Sequence, residues 1–151
     1  MKKIKLTQGK VALVSDHRFE EFSQWNWSAQ QLHGIWYAYR STKNGRVAMH
    51  RQIMGFPEGL QVDHKDGDGL NNQDENLRVC TSTQNQANRG KQKNNTSGYK
   101  GVVKARKRWC AQIKLNRAVV FWKSFSTPEE AARAYDEKAR EIYGEFAKTN
   151  F

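Results

Sequence analysis

The stretch VDHKDGDGLNNQDENLRVCTSTQNQANRG, Val62 to Gly90, decides how the middle of this chain folds. "LQVDH" reads as a strand and "LRVCT" as its partner, with a polar loop holding Gly67 and Gly69 between them. Thr81 or Ser82 can cap a short helix, "STQNQANR", which Gly90 ends. Asp63 and His64 are adjacent at a strand end, so their side chains diverge. Asn85 falls in the first turn of the helix, and if that helix crosses the hairpin it can face Asp63. A carboxylate and an amide oxygen suit one hard divalent cation. His64 then stays uncoordinated, and an imidazole with an ordinary pKa near 6.5 can take a proton from water. Asn76 is placed to bridge the long loop through backbone hydrogen bonds.

Other readings of the same residues fit less well. "HKDGDGLNNQDE" nearly makes a calcium-binding EF-hand loop, but His64 stands where the first aspartate is needed and a strand precedes it. The second Asp-His pair, Asp16-His17, lacks asparagines at matching distances. His17 and His33 therefore read as surface residues, and His50 as a packing or phosphate-contacting residue.

Composition bounds the rest. The 151 residues suffice for one ordinary domain or two small ones. No run of about 18 apolar residues exists, so no membrane span is expected. "MKKIKLTQGK" lacks the apolar core of a signal peptide, which points to the cytoplasm. Cys80 and Cys110 make no four-ligand zinc pattern and read as reduced, buried thiols. The net charge is +11, and every charged residue from Asn76 through Pro128 is Lys or Arg. Such a tract attracts a polyanion by counterion release.

Residues 1–49 read as small β-rich structure. "KVALVS" alternates as a strand, and "GIWYAYRS" and "RVAMH" flank an Asn44-Gly45 hairpin turn. "HRFEEFSQW" and "MHRQIMG" are short helical pieces, and Trp25, Trp27, Trp36, Tyr37 and Tyr39 read as core. "GKQKNNTSG" has the composition of a linker. Beyond it, "YKGVVKA", "RWCAQIKL" and "AVVFWKSF" alternate as three strands. "STPEEAARAYDEKAREIYG" carries a full set of helix signals: Thr127 as cap, Pro128 first, Glu130 closing the capping box, and Gly144 at the end. Ala131, Tyr135, Ala139 and Ile142 share one face, fit to pack on a sheet.

Two family resemblances lie on these residues. "VDHKDGDGLNNQDENLRVCTSTQNQANR", with "MHRQIMGFPEGL" before it, resembles the HNH endonuclease motif of phage and intron-encoded homing enzymes. The resemblance implies a ββα-metal site hydrolysing DNA with Mg²⁺, or Mn²⁺ as the alternative. Asp63 and Asn85 are the implied metal ligands, His64 the general base and Asn76 a structural residue, with Arg89 as a phosphate contact. Asn88 and Arg89 stand where many members have a further histidine, which disfavours a three-histidine zinc site. From Ser97 to Phe151, "GYKGV", "RWCAQI", "FSTPEEAARAYD" and "GEFAKTNF" resemble, in order, the Apetala or ethylene-response-factor DNA-binding domain. That domain lays a three-stranded sheet in the major groove. The implied DNA-facing residues are Lys100, Lys104, Arg106, Arg108, Trp109, Gln112 and Lys114. Val103 and Lys123 depart from the plant pattern, so plant base preferences do not carry over.

The expected architecture is α+β: residues 1–90 a β-rich segment and HNH module with its ββα core at about 60–90, 91–97 a linker, and 98–151 a three-stranded antiparallel sheet packed on one helix. The expected function is metal-dependent cleavage of duplex DNA by a homing-type enzyme of a mobile element, phage-encoded and acting in a bacterial host. A homodimer would serve double-strand breaks, since one site cuts one strand. The alternatives are a non-cleaving DNA-binding regulator with a degenerate nuclease module, and a structured-RNA-binding protein.

Overall fold

The computed structural model describes residues 1–92 and 94–151, and the expected linker falls partly on Lys93, outside them. The chain is a mixed α and β protein of small sheets and few helices, and it divides into two compact units, Met1–Thr81 and Ser82–Phe151. Among the described residues, no helix is long and apolar enough to cross a membrane.

The first unit begins with strands β1 (Lys2–Lys5) and β2 (Val11–Val14), paired antiparallel. Helix α1 (Phe19–Ser23) follows, then β3 (Ser28–Leu32), β4 (Ile35–Thr42) and β5 (Gly45–Ala48) in an antiparallel sheet of that order. The Asn44-Gly45 turn is where the β4–β5 register closes, Thr42 opposite Gly45. Helix α2 (Met49–Ile53) leads to β6 (Gln61–His64), the two-residue β7 (Asn71–Asn72) and β8 (Leu77–Cys80). β6 and β8 form the expected hairpin, while β7 adds to β2 in parallel, Leu13 beside Asn71 and Val14 beside Asn72. β1, β3 and β7 are additions to the sequence reading. In β1 only Ile4 is buried among lysines, so little apolar alternation shows.

The core of this unit gathers Ile4, Leu6, Val14, Phe22, Trp27, Met49, Ile53, Val62 and Leu77. Trp25 and Trp36 pack against it, as core residues should. Trp27 Nε1 donates to the Phe22 carbonyl at 2.8 Å, and the Arg40 guanidinium lies 4.4 Å from the Trp25 ring centroid. An indole buried whole needs such a bond.

The second unit holds helix α3 (Ser82–Asn88), then β9 (Val102–Ala105), β10 (Arg108–Leu115) and β11 (Ala118–Phe125), antiparallel in the order β11-β10-β9. Helix α4 (Pro128–Tyr143) covers one face of that sheet. Its capping box is complete: Glu130 N donates to Thr127 Oγ1 at 3.2 Å, and the Glu130 carboxylate takes the Thr127 N–H. Ala131, Ala132, Tyr135 and Ala139 pack on Val102, Ala111 and Ile113. Gly101 must be glycine, because its φ is +72° and a Cβ would overlap the Tyr135 ring. Asp136, 2% exposed, takes the backbone N–H groups of Asn150 and Phe151 and so fastens the C-terminal segment to the helix.

The unit boundary differs from the one expected near residue 90. Helix α3 clusters with the C-terminal unit, because the Ala87 carbonyl accepts from both Lys148 N and Lys100 Nζ. In the expected linker, Asn95 Oδ1 takes the Gly98 N–H at 2.7 Å and Ser97 Oγ donates to the Val102 carbonyl at 2.8 Å. These bonds tie 95–98 to the start of the second sheet. Cys80 and Cys110 are buried free thiols.

Candidate active site

The hairpin register places Asp63 opposite Arg78 and His64 opposite Leu77. Asp63 and His64 are 6% and 5% exposed, so both polar groups need partners. Arg78 supplies one: its Nε and Nη2 donate to Asp63 Oδ2 at 3.0 and 2.9 Å. Both donors fall on one carboxylate oxygen. Arg78 appeared in the sequence only as part of the basic tract. Its place opposite Asp63 in the hairpin was the available signal.

Asn76 holds the loop between the two strands. Its Nδ2 donates to Asp66 Oδ1 at 3.0 Å and to the Asn71 carbonyl at 2.8 Å, and its Oδ1 takes the Asp66 N–H at 3.1 Å. Asp66 also accepts from Asp68 N and Asn71 Nδ2. Burial works against the charge on Asp66, but these hydrogen bonds outweigh it and hold the carboxyl below its ordinary range. The loop carboxylates are thus spent on turn geometry, as Asp68 Oδ1 is on Leu70 N.

The His64 ring sits in a buried polar and aromatic cluster. Its centroid is 5.0 Å from the His50 ring and 5.9 Å from the Tyr37 ring, and Tyr37 lies 5.7 Å from His50. Burial pushes His64 below the ordinary imidazole value, against the pull of Asn72 and the nearby carboxylates Asp66, Asp63 and Asp68. Burial also takes His50 down to about 3, with His64 and Arg51 acting in the same sense. Among the described residues, His50 Nδ1 is buried with no hydrogen-bond partner. Gly69 has room for no side chain, since a Cβ there would meet the Trp36 carbonyl and the Tyr37 ring. Asn72 Oδ1 lies 3.3 Å from His64 Nε2. Nothing local in the sequence singles out Asn72, because its contact depends on the β2–β7 pairing.

Asn85 lies within α3 and is half-buried, and Arg89 is exposed just beyond that helix. Among the described residues, no group of three or more His, Cys, Asp or Glu side chains gathers as a metal cluster. Asp63 offers a carboxylate and Asn85 an amide oxygen, each a hard donor of the kind that suits a cation of the Mg²⁺ type.

The second sheet divides the expected DNA-facing residues. Trp109 packs toward α4 with Ala111 and Ile113, so it belongs to the core and not to the open face. Lys104, opposite Trp109 in the register, shares that side, its Nζ 5.4 Å from the Trp109 ring centroid. Lys100 turns inward to the carbonyls of Ala87 and Lys148, and burial lowers its pKa to about 8. The open face carries Arg108, Gln112 and Lys114, which alternate with those core residues, and Arg106 is exposed in the β9–β10 turn at φ +55°. Trp122, opposite Gln112 and 51% exposed, is the aromatic residue of that face. A concavity of about 550 Å³ lies there, lined by Arg106, Arg108, Cys110, Trp122 and Ser124.

The profile of the HNH endonuclease family matches residues 48–87, from the end of β5 through α3, and so crosses the boundary between the units. An uncharacterized HNH endonuclease, L560, of Acanthamoeba polyphaga mimivirus is 35% identical over 113 residues, covering 70% of this chain and 58% of the relative. The chain thus spans little more than half of that protein. Protein 3.8 of Escherichia phage T7 is 34% identical over 95 residues, covering 62% of this chain and 78% of the phage protein. The ethylene-responsive transcription factor ERF084 of Arabidopsis thaliana is 48% identical over 59 residues, 37% of this chain and 23% of the plant protein. No solved structure matches. With Asp63, His64 and Asn76 gathered at one hairpin inside the matched stretch, the chain belongs to the HNH endonuclease family.

Proposed function

We propose that this chain hydrolyses phosphodiester bonds in duplex DNA with a divalent cation, Mg²⁺ by preference and Mn²⁺ as substitute. The observation that carries the reading is the buried Asp63-His64 pair at the end of β6, within the stretch matched by the HNH profile. His64 takes the proton of the attacking water, and its burial keeps it neutral for that task. Asp63 and Asn85 are the residues that would hold the cation, which when bound would offset charge on the phosphate and the leaving oxygen. Arg78 orients Asp63 through the ion pair at 2.9 Å. Asn76 keeps the loop closed so that Asp63 and His64 stay at their strand end.

The second unit holds the DNA. It resembles an ethylene-response-factor domain, and partial matches to plant transcription factors support that likeness. Arg106, Arg108, Gln112, Lys114 and Trp122 form its contact surface, with Arg89 on phosphate. A homing role in a phage-borne element is the biological setting we infer. The phage relative supports that setting.

The test is supercoiled plasmid with Mg²⁺ or with chelator. The wild type relaxes or linearises it only with metal, and His64→Ala lowers the rate about 10²- to 10⁴-fold while binding DNA as before. A His64→Ala protein that cuts at the wild-type rate overturns the assignment. A wild type that binds but never cuts is a DNA-binding regulator.

A further inference from the structure

Asn72 is fully buried, an unusual place for a primary amide. Its surroundings dictate how the amide is turned. Nδ2 lies 3.1 Å from the Leu70 carbonyl, which also takes the Leu13 N–H at 2.8 Å. A carbonyl only accepts, so the NH₂ group of Asn72 must face it, and Oδ1 must face His64. Oδ1 is in turn only an acceptor, 3.3 Å from His64 Nε2. The imidazole has to present an N–H at that atom. A neutral ring carries one proton, so its lone pair lies on Nδ1.

We propose that Asn72 is a positioning residue for catalysis, fixing His64 as its Nε2–H tautomer and orienting the ring so that Nδ1 is the atom that takes the proton from water. The proposal rests on the reading of His64 as the base. It also gives the N-terminal sheet a part in the chemistry. Asn72 is held beside Val14 by the parallel β2–β7 pairing, and the Leu70 carbonyl that turns its amide is bonded to Leu13. Strand β2, about fifty residues before the HNH loop in sequence, thereby sets the tautomer of the base.

The experiment uses the full chain labelled with ¹⁵N-histidine, the His64 signals being identified by their loss in His64→Ala. Two-bond ¹H–¹⁵N spectra at neutral pH are expected to show His64 protonated on Nε2 and unprotonated on Nδ1. Asn72→Leu keeps the number and branching of the side-chain heavy atoms and removes the acceptor. Where circular dichroism shows it folded, its kcat on plasmid should fall about ten- to a hundredfold with KM within about twofold, as expected when a catalytic group is misplaced. Asn72→Asp keeps an oxygen at Nε2 and, as the protonated acid, can still donate to the Leu70 carbonyl, so it should recover part of that loss. A wild-type spectrum with the proton on Nδ1 overturns the proposal, as does a folded Asn72→Leu with wild-type kcat. If Asn72→Leu fails to fold, the wild-type spectrum decides alone. If His64→Ala is inactive while Asn72→Leu is normal, the base assignment stands and only the role of Asn72 falls.

Discussion

The β6–β8 hairpin and helix α3 both carry residues of the stretch that the HNH profile matches, yet they are anchored by different parts of the chain. Asp63 and His64 sit in the first unit, held by Arg78 across the hairpin and by Asn72 from the strand beside β2. Asn85 sits on a helix of 7 residues, too short to be stable alone. That helix draws support from the second unit, where Lys148 N and Lys100 Nζ close on the Ala87 carbonyl two residues beyond Asn85. The contrast teaches that a contiguous family motif need not be a contiguous folding unit. Asp63 and His64 answer to the N-terminal sheets, and Asn85 answers to the C-terminal segment.

The sharpest way to break this comparison is to remove each ligand in turn. Asp63→Ala should abolish plasmid cleavage at any Mg²⁺ concentration, a loss of about 10³-fold or more, because it deletes the charged donor. Asn85→Ala should be partly rescued by excess Mg²⁺, since a neutral donor is easier to replace by water. Equal behaviour of the two variants in a metal titration would contradict the unequal roles assigned to them.

Arg78→Met tests the hairpin side through stability. The pair is buried, with side-chain exposures of 10% for Arg78 and 7% for Asp63. Removing one partner takes the charged pair away from a buried carboxylate, which costs about 3–5 kcal/mol. Urea unfolding should show the loss at pH 7. The double variant with Asp63→Asn should regain part of it.

His50 gives the same unit a pH dependence. Folded, it resists protonation until about pH 3, whereas the unfolded chain protonates near 6.5. Its folded pKa is depressed, so the contribution is complete above pH 6.5 and is lost as pH falls toward 3. The slope is about 1.4 kcal/mol per unit, or roughly 2 kcal/mol between pH 7 and pH 5. The shift of His64 adds in the same direction. His50→Phe should flatten the urea-midpoint profile over that window, and an unchanged slope would remove His50 from the account.

The smallest effect is expected on the helix side. Lys100→Met deletes one bond to the end of α3, worth about 1 kcal/mol. Hydrogen exchange should quicken at the α3 amides and stay unchanged at those of β6 and β8. Exchange rising equally in all three would show that α3 does not draw its support separately from the hairpin.

Much of this was readable beforehand, and the reasons are local. Thr127, Pro128 and Glu130 announce the start of α4 because capping is settled within one turn. The apolar runs around the polar loop announce β6 and β8. Trp109 was counted on the DNA face by the family resemblance, whereas the structure packs it against the core under α4. Strict alternation already grouped it with Ala111 and Ile113, and those are the residues that meet the helix. Lys100 was misplaced for a different reason, since nothing near it in sequence shows that residues 87 and 148 converge on its ammonium.

The sequence by itself determined the spacing of Asp63, His64, Asn76 and Asn85, the strands and helix that carry them, and the basic character of everything from Asn76 to Pro128. Those are properties of residues close along the chain, where period, capping and charge act without a partner. Only the tertiary structure decided that Arg78 holds Asp63, that Asn72 rather than its neighbours faces His64, and that α3 is held by the C-terminal unit. Each depends on groups that must be paired once they leave water, and the partner available to a buried polar atom is chosen by which distant strand or terminus packs beside it.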